Sequence, residues 1–460
     1  LKSNQYYIVS FPKSGNTWMR IILSNILSIE KGGNIFLKEI QALVPDSHIP
    51  AQLDAAGKSG SLFISLKFQF VKSHDPYSGF FKGKNVIYIV RDGRDVLNSY
   101  YNYLNARSEE NVKMLDLIKS SDEFGSWSTH IKSWHNGGHG KFILLRYEDL
   151  LAVCSHELYH TWNIKAIRPI EMYPYDYTKE NYFRTGFVAE GVTTYMGDMM
   201  LYNSGVFSWE EFIKTQNQNL ERHLTNYGRY NLSVADSGFD NWLDGYKLGS
   251  PDRKTSIYPD AALCMLMVDL EIIRHTEGRN SLHSVMKELY EEFAQKEKGY
   301  SEDDFRNICV KFGGLKVAEI FENHIYGTED YFPTLKTALD VIGLEFKEKK
   351  NPNLSAQYFG FVAVKENQKL IIKKVEPNSV TDKNGIAPED EITKINGKKI
   401  EGKLSDILKD CKDEVIFTIK KKFSEKSISL AIGNNYELLE FMKIKEAKDE
   451  QLTFRKVWSS

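Results

Sequence analysis

The tightest constraint in this chain is five residues long. His156-Glu157-Leu158-Tyr159-His160 places two imidazoles four positions apart. On a helix that spacing puts both rings on one face, one turn apart, where they can grip a single ion. The segment is therefore predicted to be helical and to face a third donor from elsewhere in the chain. A catalytic zinc takes three protein ligands and keeps a fourth position for water. Glu190, in Val188-Ala189-Glu190-Gly191, is the candidate third ligand. Glu157 lies beside the pair, where it can take a proton from a water whose pKa the zinc lowers towards about 7.

The whole chain, of 460 residues, has room for about two to four domains at roughly 100–200 residues each. With 42% hydrophobic and 27% charged residues, an ordinary core is available without disulfide or metal staples. The net charge of -2 gives no reason to expect nucleic acid or a membrane surface as a partner. No stretch approaches the ~20 apolar residues of a membrane span. Leu1-Lys2-Ser3-Asn4 opens no apolar leader, so a cytoplasmic location is expected. Cys154, Cys264, Cys309 and Cys411 are scattered without a C-x-x-C pair, which argues against a structural zinc ribbon and suits a reducing compartment.

Three textures follow one another, with no internal repeat. Over residues 1–151, Tyr6–Ser10, Val86–Val90 and Phe142–Arg146 read as buried strands among helical patterns, predicting a parallel α/β sheet. Residues 152–345 read as mostly helical. Ala261–Arg274 is strongly apolar, Ser281–Gln295 and Ser301–Phe312 are amphipathic, and Ser301-Glu302-Asp303-Asp304 supplies an N-cap with acids in the first turn. Residues 346–353 are charged and turn-rich, a linker candidate. Residues 354–432 return to short strands with an Asn396-Gly397 hairpin turn, and 433–460 form a C-terminal tail. Lys420-Lys421-Lys422 reads as a solvated strand end.

The surroundings of the His-Glu-Leu-Tyr-His helix carry more. Trp162-Asn163 follows it closely, then Tyr175-Asp176-Tyr177-Thr178, then Glu190-Gly191 with aromatic and acidic residues after it. Asp236–Trp242, Ser256-Ile257-Tyr258 and Lys298–Phe305 continue in order. Residues 152–460 thereby resemble the glycyl aminopeptidase family of zinc metallopeptidases. The resemblance implies a thermolysin-like helical domain in which His156, His160 and Glu190 bind zinc and Glu157 is the general base. Tyr258 is the candidate for stabilising the tetrahedral intermediate, against simple packing in a chain with 25 tyrosines. Peptides cleaved after a small N-terminal residue are the implied substrates.

Tyr358-Phe359-Gly360-Phe361, Lys374–Ser379 and Gly385–Gly397 resemble a PDZ domain, its carboxylate-binding loop first. That implies a peptide C-terminus held by loop N–H groups, the peptide adding as a strand; a purely structural module is the competing reading.

The beginning of the chain points to different chemistry. Tyr6–Trp18 reads strand, then a Pro-Lys-Ser-Gly-Asn-Thr turn, then helix. Such a turn aims backbone N–H groups at an anion, although it is no strict Walker A loop. Val86–Val96 with Ser99-Tyr100-Tyr101, Phe70-Val71-Lys72-Ser73-His74, Gly125–Trp134 and Leu145–Leu150 follow. Residues 1–151 resemble the N-terminal part of sulfotransferases that use 3′-phosphoadenosine 5′-phosphosulfate (PAPS). The resemblance implies a donor site at Lys13, Ser14, Gly15, Asn16, Thr17 and Trp18, with Arg91 and Ser99 on the 3′-phosphate. His74 would deprotonate a hydroxyl acceptor, and Lys13 would stabilise the leaving oxygen.

Both resemblances are incomplete. No Arg-Lys-Gly loop follows the first, and the second begins at about Ala152 without its usual N-terminal β-rich region. A natural fusion, a made chimera and a wrongly assembled reading all account for the join. The expected function is a zinc aminopeptidase with a PDZ module and a PAPS-binding region. A sulfotransferase and a non-catalytic peptide-binding protein are the alternatives.

Overall fold

In the computed structural model, the apolar runs at the start of the chain pair as a four-stranded sheet. The structure describes residues 5–29, 40, 43–49, 69–106, 113–114, 117, 124–244, 250, 252–432, 438–444 and 446–459. The first four residues, read above for a leader, and 433–437, the start of the expected tail, lie outside these. The chain divides into two compact units, Leu1–Cys154 and Ser155–Ser460, and the division falls inside the helix Tyr147–Tyr159.

In the first unit β1 (Gln5–Ser10), β2 (Gln69–Ser73), β3 (Asn85–Val90) and β4 (Phe142–Arg146) pair in parallel in the order β2-β1-β3-β4. The central strands bury both faces, which explains their continuous apolar character. Ile8, Ile87 and Ile89 pack with Met19 and Leu150 on one side; Tyr7, Val9, Val86 and Tyr88 pack with Phe81 and Trp134 on the other. The alternation of side chains along each strand divides them between the two layers.

The second unit is built round the apolar helix Pro259–His275, buried from Pro259 through Ile273. Apolar residues on every face mark a helix surrounded by protein. Its neighbours include the helices Thr193–Asn203, Trp209–Leu224, Glu302–Ile320, Phe332–Val341 and Asp449–Trp458. The Ser301 cap forms as expected, its Oγ accepting from the Asp304 amide at 3.1 Å. That helix runs on past Phe312 to Ile320, with a kink at Gly314.

Two expectations about connections change. Residues 346–353 are not wholly linker: β5 (Leu344–Lys349) occupies their start. The stretch expected as a tail pairs with it, β12 (Leu438–Lys443) running antiparallel to β5. It then forms Asp449–Trp458, whose Trp458 Nε1 donates to the buried Tyr195 hydroxyl at 2.7 Å. Hydropathy along a single strand gives no sign of a partner about ninety residues away, so neither element was legible in advance.

Between them lies an antiparallel sheet of β6 (Phe361–Glu366), β7 (Lys369–Val375), β8 (Glu391–Ile395), β10 (Glu414–Lys420) and β11 (Glu425–Ala431), in the order β11-β10-β8-β7-β6. β9 (Lys398–Lys399) pairs with β8 across the Asn396-Gly397 turn, both turn residues having positive φ as a type I′ hairpin needs. Lys421 Nζ donates to the Gly385 carbonyl at 2.7 Å and pairs with Asp390. All four cysteines are free. Among the described residues no helix is long and apolar enough to cross a membrane.

Candidate functional site

The helix Tyr147–Tyr159 ends just before His160, whose amide still donates to the His156 carbonyl at 3.2 Å. The i, i+4 geometry therefore survives one residue beyond the last assigned helical position. Gly197 of the facing helix allows close approach: a Cβ there would lie 3.2 Å from the His156 Cα. Ser155 Oγ fastens the same crossing by donating to the Gly197 carbonyl at 2.7 Å.

Glu190 arrives on a π-helical turn, Phe187–Val192, that leads into the helix Thr193–Asn203. Such one-turn distortions re-aim a side chain out of regular helical register. His156 Nε2 lies 3.1 Å from Glu190 Oε2 and 3.1 Å from His160 Nε2, and His160 Nε2 lies 3.4 Å from Glu190 Oε2. A tetrahedral zinc with donors at 2.0–2.2 Å holds them about 3.3–3.6 Å apart. The observed triangle fits that within the roughly 0.2 Å tolerated in a metal site. Two imidazoles and a carboxylate are also the right donor chemistry.

The electrostatics agree. Burial alone would raise the Glu190 carboxyl, but hydrogen bonds with His156 and His160 hold it down at about 2. Burial would lower His160, and Glu190 more than offsets it, so its pKa is raised. The cluster carries an ionised carboxylate and draws positive charge.

Asn163 is a residue whose role sequence reading missed. It is fully buried, and its Nδ2 donates to the carbonyls of Val188 at 2.8 Å and Ala189 at 3.3 Å and to Thr193 Oγ1 at 3.0 Å, clamping the turn that carries Glu190. His160 Nδ1 lies 3.2 Å from the Asn163 carbonyl oxygen. A carbonyl only accepts, so Nδ1 is the donor and the neutral ring turns its Nε2 lone pair towards the cluster. The signal was available in the Trp162-Asn163 pair, separated from the motif by one residue. Tyr258 stacks on His156 with centroids 6.1 Å apart, and its amide donates to Ser256 Oγ at 3.2 Å.

In the first unit a cavity of about 570 Å³ brings together Lys13, Gly15, Asn16, Thr17 and Trp18 of the turn with His74, Arg91 and Ser99. Ser14 does not line it; it is buried, with its Oγ unpartnered among the described residues. Arg20 and Lys72 add two more cations, and no carboxylate lines the cavity among the described residues, a lining suited to an anion. Lys72 is ion-paired with Asp46. Gly15 has φ 103°, and a Cβ there would meet Tyr147 Cδ2 at 2.5 Å. Tyr147 thus packs directly on the turn, and the Arg91 guanidinium lies 4.3 Å from the Tyr147 ring centroid. Asn16 Nδ2 ties the turn to β1 and β2 through the carbonyls of Ile8 and Ser73.

His74 Nδ1 lies 2.7 Å from the Ser10 carbonyl, so it donates there and leaves Nε2 as the basic atom. Burial, aided by Lys72, lowers its pKa to about 4. His130, unread in the sequence, holds the His74 backbone: Nε2 donates to the His74 carbonyl at 3.0 Å, while Nδ1 accepts from the Tyr88 hydroxyl at 2.8 Å.

The comparisons with known proteins divide along the same lines. Residues 149–264 match the M61 glycyl aminopeptidase family. Residues 3–160 match the sulfotransferase domain and 347–419 the PDZ domain. The first two matches overlap on the helix that carries His156. Human sulfotransferase 2B1 is 29% identical over 167 residues, 33% of this chain and 43% of the relative. Rat (Rattus norvegicus) sulfotransferase 1A1 is 32% identical over 158 residues, 31% of this chain and 53% of the relative. The chain thus spans about half the length of the curated relatives it matches. An aminopeptidase N family protein from Idiomarina loihiensis shares the fold with a TM-score of 0.59, at 23% identity over 69% of this chain and 58% of that one.

Proposed function

We propose that this protein is a zinc-dependent aminopeptidase of glycyl aminopeptidase type. The observation that carries the reading is the His156–His160–Glu190 triangle, with its donor atoms 3.1–3.4 Å apart. A zinc ion held there supplies Lewis acidity, polarising a peptide carbonyl and acidifying water. Glu157, on the ligand helix, accepts the proton of the attacking water and returns it to the departing amine. Tyr258, stacked on His156, donates its hydroxyl to the developing oxyanion. The test is metal analysis of the full chain beside hydrolysis of peptides with N-terminal glycine or alanine. One zinc per chain is expected, lost in His156→Ala and Glu190→Ala. Glu157→Gln is expected to keep the metal and lose hydrolysis. A protein that takes up no zinc, or that cleaves equally well as Glu157→Gln, rules the reading out.

A second activity has its own support in the cation-lined cavity of the first unit. We infer that this cavity binds PAPS or its desulfated product, Lys13, Arg91 and Ser99 contacting the phosphates and His74 Nε2 accepting the proton of a hydroxyl acceptor. The nucleotide is expected to raise the melting temperature by linkage, and Lys13→Ala to abolish the rise. No shift at millimolar nucleotide counts against it.

A further inference from the structure

We propose that the PDZ module binds an internal acidic peptide segment in extended form, not a peptide C-terminus. The inference rests on the module's fold and on neither catalytic reading. The loop expected to hold a carboxylate is closed by its own backbone. The Gly360 amide donates to the Ala356 carbonyl at 2.9 Å, and Gly360, at φ 75°, ends the short helix Leu354–Phe359. Asn353 secures the other end of that helix by accepting from the Ser355 and Ala356 amides. Gly360 also lies hard against Ser379, whose Cβ would be 2.5 Å from a Cβ at 360. The central N–H of the loop thus caps a helix and does not face a groove.

Farther along β6, a cavity of about 440 Å³ opens beside Ala363 and Lys365. Leu370, Ile392, Ile400 and Leu404 give it apolar lining. Lys365, Lys369, Lys399 and Lys403 also line it, against a single carboxylate among the described residues, Glu391. Glu391 pairs with Lys369 at 3.4 Å. Lys365, Lys399 and Lys403 have no ion-pair partner among the described residues. Among the described residues β6 is at the end of its sheet, with β7 as its one neighbour, so its outer edge can receive a peptide as an added strand. An exposed edge strand often carries lysine merely to discourage aggregation. That explanation covers Lys365 on β6 and Lys399 on β9, which pairs only with β8 among the described residues, but not Lys403, which lies beyond the strand. Three unpaired cations around an apolar floor next to an open edge suit an extended chain with alternating apolar and acidic side chains. Alternation sends one set into the cavity and leaves the carboxylates at its rim.

The test uses the full chain and a fluorescent peptide of alternating valine and glutamate, acetylated and amidated so that it has no free terminus. Saturable binding is expected, weakening as salt rises. Restoring the free carboxylate should change the affinity less than twofold. Combined Lys365→Glu, Lys399→Glu and Lys403→Glu should weaken binding about tenfold, because each reversal replaces a weak exposed attraction with a repulsion. The triple glutamine variant should give a smaller loss, and both should melt with the parent protein. Tighter binding of a neutral valine peptide bearing a free carboxylate overturns the proposal. So does failure of the acidic peptide to bind at millimolar concentration, or lysine-dependent binding of an oligonucleotide or anionic vesicle in its place.

Discussion

Gly191→Ala tests whether the placement of Glu190 depends on its backbone packing. Gly191 follows Glu190 in the π-helical turn, and the turn rests on the helix Pro259–His275. A Cβ at 191 would sit 2.4 Å from the Ala261 Cβ, 3.0 Å from its carbonyl carbon and 3.2 Å from its Cα. Carbon atoms in contact prefer about 3.5–4.0 Å, so the turn has to retreat by about 1 Å. Overpacking of this kind costs about 1–3 kcal/mol. For a unit of this size that lowers the melting temperature by about 2–10 °C. A displacement of about 1 Å also exceeds the roughly 0.2 Å that metal coordination tolerates. Zinc affinity should fall about 10–100-fold, the usual effect of disturbing the groups that orient a ligand. Competition with a chromophoric chelator measures the affinity, and calorimetry of the metal-free protein measures the stability. Adding Ala261→Gly should restore part of both, because it removes the nearest contact and leaves the backbone contacts in place. An alanine variant that binds zinc within twofold of the parent, with unchanged metal-free melting, would refute the argument.

Further outcomes are expected elsewhere. Asp198 is buried, which pushes its carboxyl up to about 7 although Gln216 and Asn219 donate to it. An acid raised in the folded state contributes its full stability below its unfolded pKa of about 4 and loses it as pH rises towards 7. The gap corresponds to about 4 kcal/mol as an upper value, at about 1.4 kcal/mol per pH unit. Asp198→Asn should therefore raise the melting temperature at pH 8, with the gain shrinking towards pH 4; parallel pH profiles for the two proteins would contradict this. Tyr258→Phe should retain one zinc while kcat for peptide hydrolysis falls about 10²–10³-fold; an unchanged kcat would return Tyr258 to a packing role. Trp458→Phe removes the donor to the buried Tyr195 hydroxyl and should cost about 1–2 kcal/mol in denaturant unfolding. Gly15→Ala, strained at φ 103° and blocked by Tyr147, should abolish the nucleotide-induced rise in melting temperature; an undiminished rise would show that the turn is not the anion site.

Local chemistry made much of this protein legible in one dimension. The i, i+4 histidines require a helix, and the structure supplies it to within one residue of His160. Tyr6–Ser10 and Val86–Val90 become adjacent buried parallel strands, because short apolar segments buried on both faces have few other homes. Phe142–Arg146 also pairs in parallel, but as the end strand β4 with Ile143 and Leu144 exposed, not as the buried strand its apolar run predicts. Asn396-Gly397 forms its hairpin since those two residues tolerate positive φ.

What the sequence by itself determined, then, was which residue types could meet: two imidazoles one helical turn apart, a carboxylate available downstream, a phosphate-type turn between strand and helix. Only the tertiary structure decided how they meet. The aim of Glu190 comes from a π-helical turn clamped by the buried Asn163 amide and seated on Ala261, contacts between residues far apart in the chain that no periodicity records. The pairing of β12 with β5 and the anchoring of Trp458 on Tyr195 are decided in the same way. A motif fixes local geometry through neighbouring dihedral angles, whereas the distances that fit a zinc ion depend on which surfaces exclude water together, and that is settled only when the whole unit packs.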